Sequence, residues 1–526
     1  MLQKRLPMKL GSSSVLLNFC NRAILICCFP TLIAADVHPN IGRLKTNLEY
    51  LTSPQLAGRA SLTPGAKLAA DYVVQQFQQA GIQPANGNSY LQEFTVTENT
   101  LDAATSTLTM GELQLVAANH FTGAFHRNLS IKANAVFVGY GITAPEYGYD
   151  DYKTVDARGK IVFLFDREPQ EADPKSIFLG LGLTRYANYR SKLKNAQSHG
   201  AVAMVIFRSA KTTAAVVRNP SPTRGNAERQ IEDGVKIPFI NLNEAGANKL
   251  LPNWRAIQEK LDESAKPQSF TLPNEVELQL KHSNFKQGTT WNVVGMIEGS
   301  DRTLKRETIL LASHHDHLPV RSEKYYPGAN DNGSGTAGVI ELARLFRESK
   351  QRPKRTILFV SFGAEENFLL GSFYFVDHPL RPLATIRAVI NLDMIARNEA
   401  HTPSTEGRLV IPSDTRNQLN LVGTIYSPGL QKAIEKGNRR VGLQFDTKFE
   451  RDSTQNILFR CDHYPFLLAD IPAVWLFGGL HPGYHEPVDT VDKLDFTKLE
   501  KVLRLAFQTV MELANSKASP GFRTGP

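Results

Sequence analysis

Cysteine is scarce in this chain of 526 residues: there are 4, and three of them, Cys20, Cys27 and Cys28, fall in the first 35 positions. The rest of the chain has only Cys461 and cannot close an internal disulfide, so its stability must come from its core and from any ions it binds. A bilayer-spanning apolar run is lacking as well. The nearest approach, Ala23 to Ala35, is short and broken by Pro30, which argues against a membrane anchor. Basic residues up to Arg22 precede that run and small residues end it, the pattern of a cleaved export signal over 1–35. Cys27 has no small residue before it, which disfavours lipoprotein-type processing. The net charge is +9, of which Lys4, Arg5, Lys9 and Arg22 lie in the signal segment without a single acid. No block of Lys and Arg is interleaved with aromatics, which leaves nucleic-acid binding without support. Tandem repeats and long low-complexity stretches are absent too.

What is present fits a folded, multidomain protein: 42% apolar and 21% charged residues, in a chain too long for one hydrophobic core. From Asp36 to Phe94 the patterning is helical, with apolar residues at helical spacing between Ala66 and Phe77 and a stop at Gly81. Between Thr95 and His282 short β-rich runs such as 135–138 and 160–165 alternate with turn residues, with a helix over 191–200 and a strand over 202–206. From Thr290 onward strands and helices alternate. The runs 309–312, 356–360, 388–390 and 473–477 are continuously apolar, as expected of strands covered on both faces. Val339, Leu342, Ala343 and Leu345 mark the inward face of a helix between the first two runs. The expected architecture is α/β, with a mixed, mostly parallel central sheet under helices on both faces. In such sheets ligands collect at the carboxyl ends of the strands.

Those ends carry the chemistry. After the first strand comes Ser313-His314-His315-Asp316-His317, and a short loop then leads through Gly328-Ala329-Asn330-Asp331-Asn332-Gly333-Ser334-Gly335 into a helix. The second strand ends in Ala364-Glu365-Glu366, the third in Asn391-Leu392-Asp393-Met394, and the last in Gly479-Leu480-His481-Pro482-Gly483-Tyr484-His485. A lone histidine or a glutamate pair means little. Several elements that bring nitrogen and oxygen donors to one sheet edge are what a zinc site requires. Two zinc ions about 3.5–4 Å apart concentrate four positive charges. Asp331, Glu366 and Asp393 would supply three negative charges, His314 and His485 two neutral nitrogens, and a hydroxide the remaining charge. Asp316, two residues beyond His314, is placed to orient that imidazole.

These motifs resemble the co-catalytic di-zinc exopeptidases, a family that includes bacterial aminopeptidases, glutamate carboxypeptidase and, more distantly, glutaminyl cyclase. The resemblance rests on H-x-D-H at 314–317, G-A-N-D-N-G-S-G at 328–335, A-E-E at 364–366, N-L-D-M at 391–394 and Y-H with P-V-D-T at 484–490, and it reaches Leu56-Ala57-Gly58-Arg59 and Thr63-Pro64-Gly65. The middle stretch resembles a protease-associated domain through 138–142, 158–162 and 196–201. The implied organisation is a catalytic domain of 36–94 and 288–526 interrupted by an insert of 95–287. The resemblance also implies two zinc ions per chain, with Asp331 bridging, His314 and Asp393 completing one site, Glu366 and His485 the other, and Glu365 as general base toward a bridging water. Tyr484 is the candidate donor to the oxyanion. Asp462 and His463 resemble part of a loop near the substrate pocket and are candidates for substrate contact.

This chain departs from the family pattern at several positions. Asn330 stands where many relatives carry Asp, and His315 where they carry an aromatic or aliphatic residue. His481 competes with His485 as a ligand, although the Y-H-x-P-x-D-T context favours His485. The leading expectation is an exported aminopeptidase acting on peptides. A carboxypeptidase would need a basic cluster for the terminal carboxylate. Glutaminyl cyclisation fits less well with the insert and the full ligand set, and a receptor without enzymatic activity fits less well with the retained ligands and base.

Overall fold

Four strands set the frame of the molecule: Thr308–His314, Thr356–Phe362, Ile386–Asp393 and Ala473–Phe477, every residue of which is buried except Arg387. They run mutually parallel, in the order 356–362, 308–314, 386–393, 473–477. In the computed structural model, residues 38–524 are described apart from 172, 181, 209–226, 232–233 and 453–454. The expected export signal over 1–35 lies outside the described residues.

Alternation along each strand sends side chains to two separate cores. Ile309, Leu311, Ile357, Phe359, Ala388 and Ile390 pack with residues of the helices Ile41–Leu51, Pro64–Gln79, Gly335–Glu348, Pro428–Asn438 and Phe496–Asn515. Leu310, Ala312, Leu358, Val360, Val389 and Trp475 face the other way, against Leu370–Asp377 and Tyr464–Leu468. The sheet is therefore covered on both faces. Thr308–His314, the helix Gly335–Glu348 and Thr356–Phe362 form a β-α-β unit, and Val339, Leu342, Ala343 and Leu345 are all buried as their spacing predicts. Antiparallel strands extend this 10-stranded sheet on both sides, with Gln418–Val422 beyond Ala473–Phe477 and His282–Ile297 beyond Thr356–Phe362.

The middle of the chain leaves and re-enters along one long ribbon. Leu91–Leu101 pairs antiparallel with His282–Ile297 from Leu101↔His282 to Leu91↔Val293, so positions 95 and 287 both lie inside the ribbon. Between its ends the chain builds a 6-stranded sheet with a parallel centre, Ala135–Val138, Ile161–Phe165, Ala203–Phe207 and Phe239–Leu242, and a 4-stranded antiparallel sheet. It also returns one strand, Ala227–Ile231, to the edge of the large sheet. The insert is thus tied to the main sheet by three strands. Among the described residues no helix is long and apolar enough to cross a membrane.

Candidate metal centre

His314 and Asp393 are the last residues of their strands, so their side chains stand on the rim of the sheet. Glu365 and Glu366 follow the neighbouring strand on a tight turn that Ala364 enters with φ 58. Asp331 sits where the 328–334 loop becomes the helix Gly335–Glu348, and the Asp331–Asn332 peptide is cis. His485 lies beyond the last strand with φ 58, and Met394, directly after Asp393, has φ 53. Left-handed backbone is costly for residues with a Cβ and tends to mark functional sites. Gly328 also has positive φ, and a Cβ there would collide with the Asp331 carbonyl and the His317 ring. That loop needs glycine.

The donors from these five segments meet. His314 Nε2 lies 3.5 Å from Asp331 Oδ1, 3.5 Å from Asp393 Oδ2 and 3.7 Å from Glu365 Oε2. His485 Nε2 lies 3.1 Å from Asp331 Oδ2 and 3.2 Å from Glu366 Oε2. Asp331 therefore faces both imidazoles, one through each oxygen. Two compact donor groups result: His314, Glu365 and Asp393, and His317, Asp331 and Glu366. His317 joins the second through its Nδ1, 2.9 Å from Glu366 Oε1. Nothing in the sequence favours His317 over its neighbours, and only the fold turns it toward Glu366.

A frame of buried polar residues holds the donors. The Asp316 carboxylate accepts the backbone N–H groups of Glu365 (3.0 Å) and Glu366 (3.3 Å) and the Ser61 hydroxyl (3.0 Å). The hydrogen-bonding partner of His314 Nδ1 is instead the Asp316 carbonyl, at 3.1 Å, and the carboxylate is 3.7 Å away. The expected orienting role thus passes mainly to the backbone, because the carboxylate is committed to the glutamate turn. Arg59, fully buried, donates to the carbonyls of Leu51, Pro327, Gly328 and Asp331 and so clamps the loop that carries Asp331. Asp489 accepts the N–H groups of Asn330 and Asp331 at 2.9 and 3.1 Å. Cys461 donates to Asp393 Oδ2 at 2.8 Å.

The electrostatics fit a cation. Burial raises the Glu365 carboxyl well above its usual range, and the charge of Glu366 adds to this. Burial alone would lower His314 and His485, but the carboxylates outweigh it: Glu365 and Asp393 raise His314 well up, and Glu366 and Asp331 bring His485 to about 10. Burial opposes ionisation of Glu366 too, yet the His485 and His317 imidazoles hold it well below the ordinary range. Protons on the rings are thus the countercharge to a carboxylate cluster, and divalent ions at the same points would displace them. His314 Nε2 and Asp393 Oδ1 are buried with no hydrogen-bond partner among the described residues. Orphaned donors of this kind, on side chains that approach one another to 3.5 Å, are suited to ligating a metal.

The other expected residues fall into place around the centre. Tyr484 stacks on the His485 ring, centroids 3.9 Å apart, and its hydroxyl accepts from Arg460 Nη2 at 3.2 Å. His481 turns away from the donors: its Nε2 meets the Asn330 amide nitrogen at 3.0 Å and its Nδ1 accepts the Gly483 N–H. Asn330 also accepts the Ala396 N–H at 2.9 Å, so the amide that stands where relatives carry Asp is used to tie loops together. His315 faces Ser361 at 3.2 Å. Asp462 and His463 are fully buried behind Cys461 and take no part in lining the cleft, a placement that does not match the expected substrate contact. The helix Tyr464–Leu468 that begins beside them packs into the core, and this draws both side chains inward. The cleft itself is lined by Asp331, Glu365, Glu366 and Asp393, by the apolar Met394, Ile457, Trp475, Phe477 and Leu480, and by Arg460, Tyr484 and His485.

The chain is similar to known proteins over much of its length. Residues 292–510 match the sequence model of Peptidase family M28, and residues 113–250 that of the PA domain. Aminopeptidase YwaD of Bacillus subtilis is 26% identical over 391 residues, which take in 72% of this chain and 69% of that protein. A probable zinc metalloprotease of Pyrenophora tritici-repentis is 28% identical over 238 residues, 40% of this chain and 54% of the fungal protein. Among solved structures, an aminopeptidase from Aneurinibacillus sp. strain AM-1 aligns with 92% of this chain and 95% of its own, at 20% identity and a TM-score of 0.47.

Proposed function

We propose that this chain, whose residues 292–510 belong to Peptidase family M28, is an exported zinc-dependent aminopeptidase that holds two zinc ions. The observation that carries the reading is the convergence of donors from five separate segments, with Asp331 facing both His314 and His485. His314 and Asp393 would hold one ion and Glu366 and His485 the other, with Asp331 shared between them. When bound, zinc supplies an activated water and polarises the scissile carbonyl. Glu365 is left to move the proton: its carboxyl, in the cleft wall 3.7 Å from His314 Nε2, takes a proton from the nucleophile and hands it to the leaving amine. Asp316 positions both glutamates through their N–H groups. The Tyr484 hydroxyl donates to the oxyanion. Export is supported by the charge and apolar pattern of the first 35 residues.

The test is direct. The zinc-loaded chain should contain close to two zinc ions, hydrolyse an aminoacyl p-nitroanilide, and lose that activity to a chelator. N-acetylation of the same substrate should abolish turnover. Equal rates on the free and acetylated amines would rule out an aminopeptidase.

A further inference from the structure

The metal-centre cleft has one feature that proton transfer and metal binding leave unused. Of the described residues that line it, Arg460 is the only lysine or arginine, among four carboxylates, a histidine, a tyrosine and an apolar wall. Arg460 is exposed, and its only side-chain partner among the described residues is the neutral Tyr484 hydroxyl. Its backbone is not loose: it closes the turn Ile457–Phe459, and the next residue is the buried Cys461, bonded to Asp393. The guanidinium therefore reaches the Tyr484 hydroxyl, one phenol ring away from His485.

A cation in this position works against the proposed substrate unless it meets an anion. The amine of an aminopeptidase substrate is itself positive, and a like charge in the same cleft repels it. A peptide that carries a carboxylate just past the scissile bond removes the conflict. Successive Cα atoms are about 3.8 Å apart, so the terminal carboxylate of a dipeptide lies one residue beyond the bond, on the scale of the Tyr484 ring that separates Arg460 from His485. The planar guanidinium accommodates a carboxylate through two parallel N–H bonds, which a lysine in its place would not reproduce. The apolar wall of Met394, Trp475, Phe477 and Leu480 suits a side chain, and Arg460 suits an anion.

We propose that Arg460 reads a carboxylate on the residue after the scissile bond, and that the preferred substrates are short peptides, dipeptides first, with a free C-terminus. The proposal rests on the aminopeptidase reading and names its substrate class. An Asp or Glu side chain on the same residue would present the same group, so the test separates the two sources.

The zinc-loaded enzyme is compared on leucyl-glycine, leucyl-glycinamide, and the C-terminal amides of leucyl-glutamate and leucyl-glutamine. Leucyl-glycine should exceed its amide in kcat/KM by about tenfold, mostly through KM, the factor expected of one exposed charge-assisted contact. In Arg460→Ala the ratio should collapse to near one, and Arg460→Lys should keep part of it, with zinc content measured in both. Discrimination between the glutamate and glutamine amides, without preference for the free acid, would overturn the dipeptide assignment in favour of an acidic side chain. If acid and amide fall by the same factor in Arg460→Ala, Arg460 only places Tyr484 and carboxylate reading is wrong. Turnover of none of the four by zinc-loaded wild type would instead overturn the aminopeptidase reading itself.

Discussion

Two sheets with parallel centres in this chain have buried charged residues beside them, and the charges meet different things. In the insert, Asp151 accepts the N–H groups of Tyr140 and Ile142 at 3.0 Å each, Lys192 donates to the Tyr140 carbonyl, and Glu168 accepts the N–H of Thr184 at 3.0 Å together with its hydroxyl. Each of these three groups has a backbone partner, although Asp151 Oδ1 has no hydrogen-bond partner among the described residues. On the large sheet, carboxylates face imidazoles across 2.9–3.8 Å, and buried atoms such as His314 Nε2 have no hydrogen-bond partner among the described residues. Burial and charge are similar in the two places, so neither identifies a site. What separates them is whether the charged groups are held singly by backbone partners or converge with imidazoles on a common point.

Substitutions can break or sharpen that contrast. The largest effect is expected at the metal centre: Glu365→Gln should lower kcat by about 10²–10⁴-fold, the usual contribution of a general base, with zinc content unchanged. Loss of zinc in this variant would make Glu365 a ligand and not the base. One layer out, Asp316→Asn weakens the grip on the Glu365–Glu366 turn and should cost about 10–100-fold in zinc affinity or activity, measured by competition with a chelator of known affinity. In the insert, Asp151→Asn should lower stability by about 1–3 kcal/mol in chemical denaturation and leave zinc stoichiometry intact. An equal loss of zinc would mean that the two sheets do not differ in this way.

The smallest expected effect is on pH dependence. Burial raises the Glu168 carboxyl to about 7, which its Thr184 partners only partly offset. A carboxyl raised on folding stabilises the native state fully below its unfolded pKa, and that contribution is lost as pH rises through about 7. Glu168→Gln should therefore flatten the decline in melting temperature between about pH 5 and about pH 8. The metal centre responds in the opposite direction, because acid protonates the donors and releases the ions.

Legibility in the sequence tracks the range of the interactions. The four central strands stand out because strands covered on both faces are continuously apolar, and the helix Gly335–Glu348 because Val339, Leu342, Ala343 and Leu345 recur at helical spacing. The His and carboxylate positions of the proposed centre can be read from their place at the ends of those strands, in His314 and Asp393, or in the loops that follow them. The frame around them cannot. Arg59 clamps a loop 269 residues away, and a buried arginine looks like any other in a sequence. Asp316 is expected to serve His314, but its carboxylate is taken by N–H groups 49 and 50 residues on. The choice between His481 and His485 is fixed by Asn330, a contact across 151 residues. The burial of Asp462 and His463 depends on how the following helix docks. Periodicity carries local structure, while the fate of a polar side chain depends on partners that only the folded chain supplies.

The most direct measurement is a zinc-edge anomalous difference map from crystals of the zinc-loaded protein. Two peaks about 3.5–4 Å apart are expected, one against His314 and Asp393, the other against Glu366 and His485, with Asp331 between them. A single peak, or density centred on His317 with His485 turned away, would contradict the paired centre.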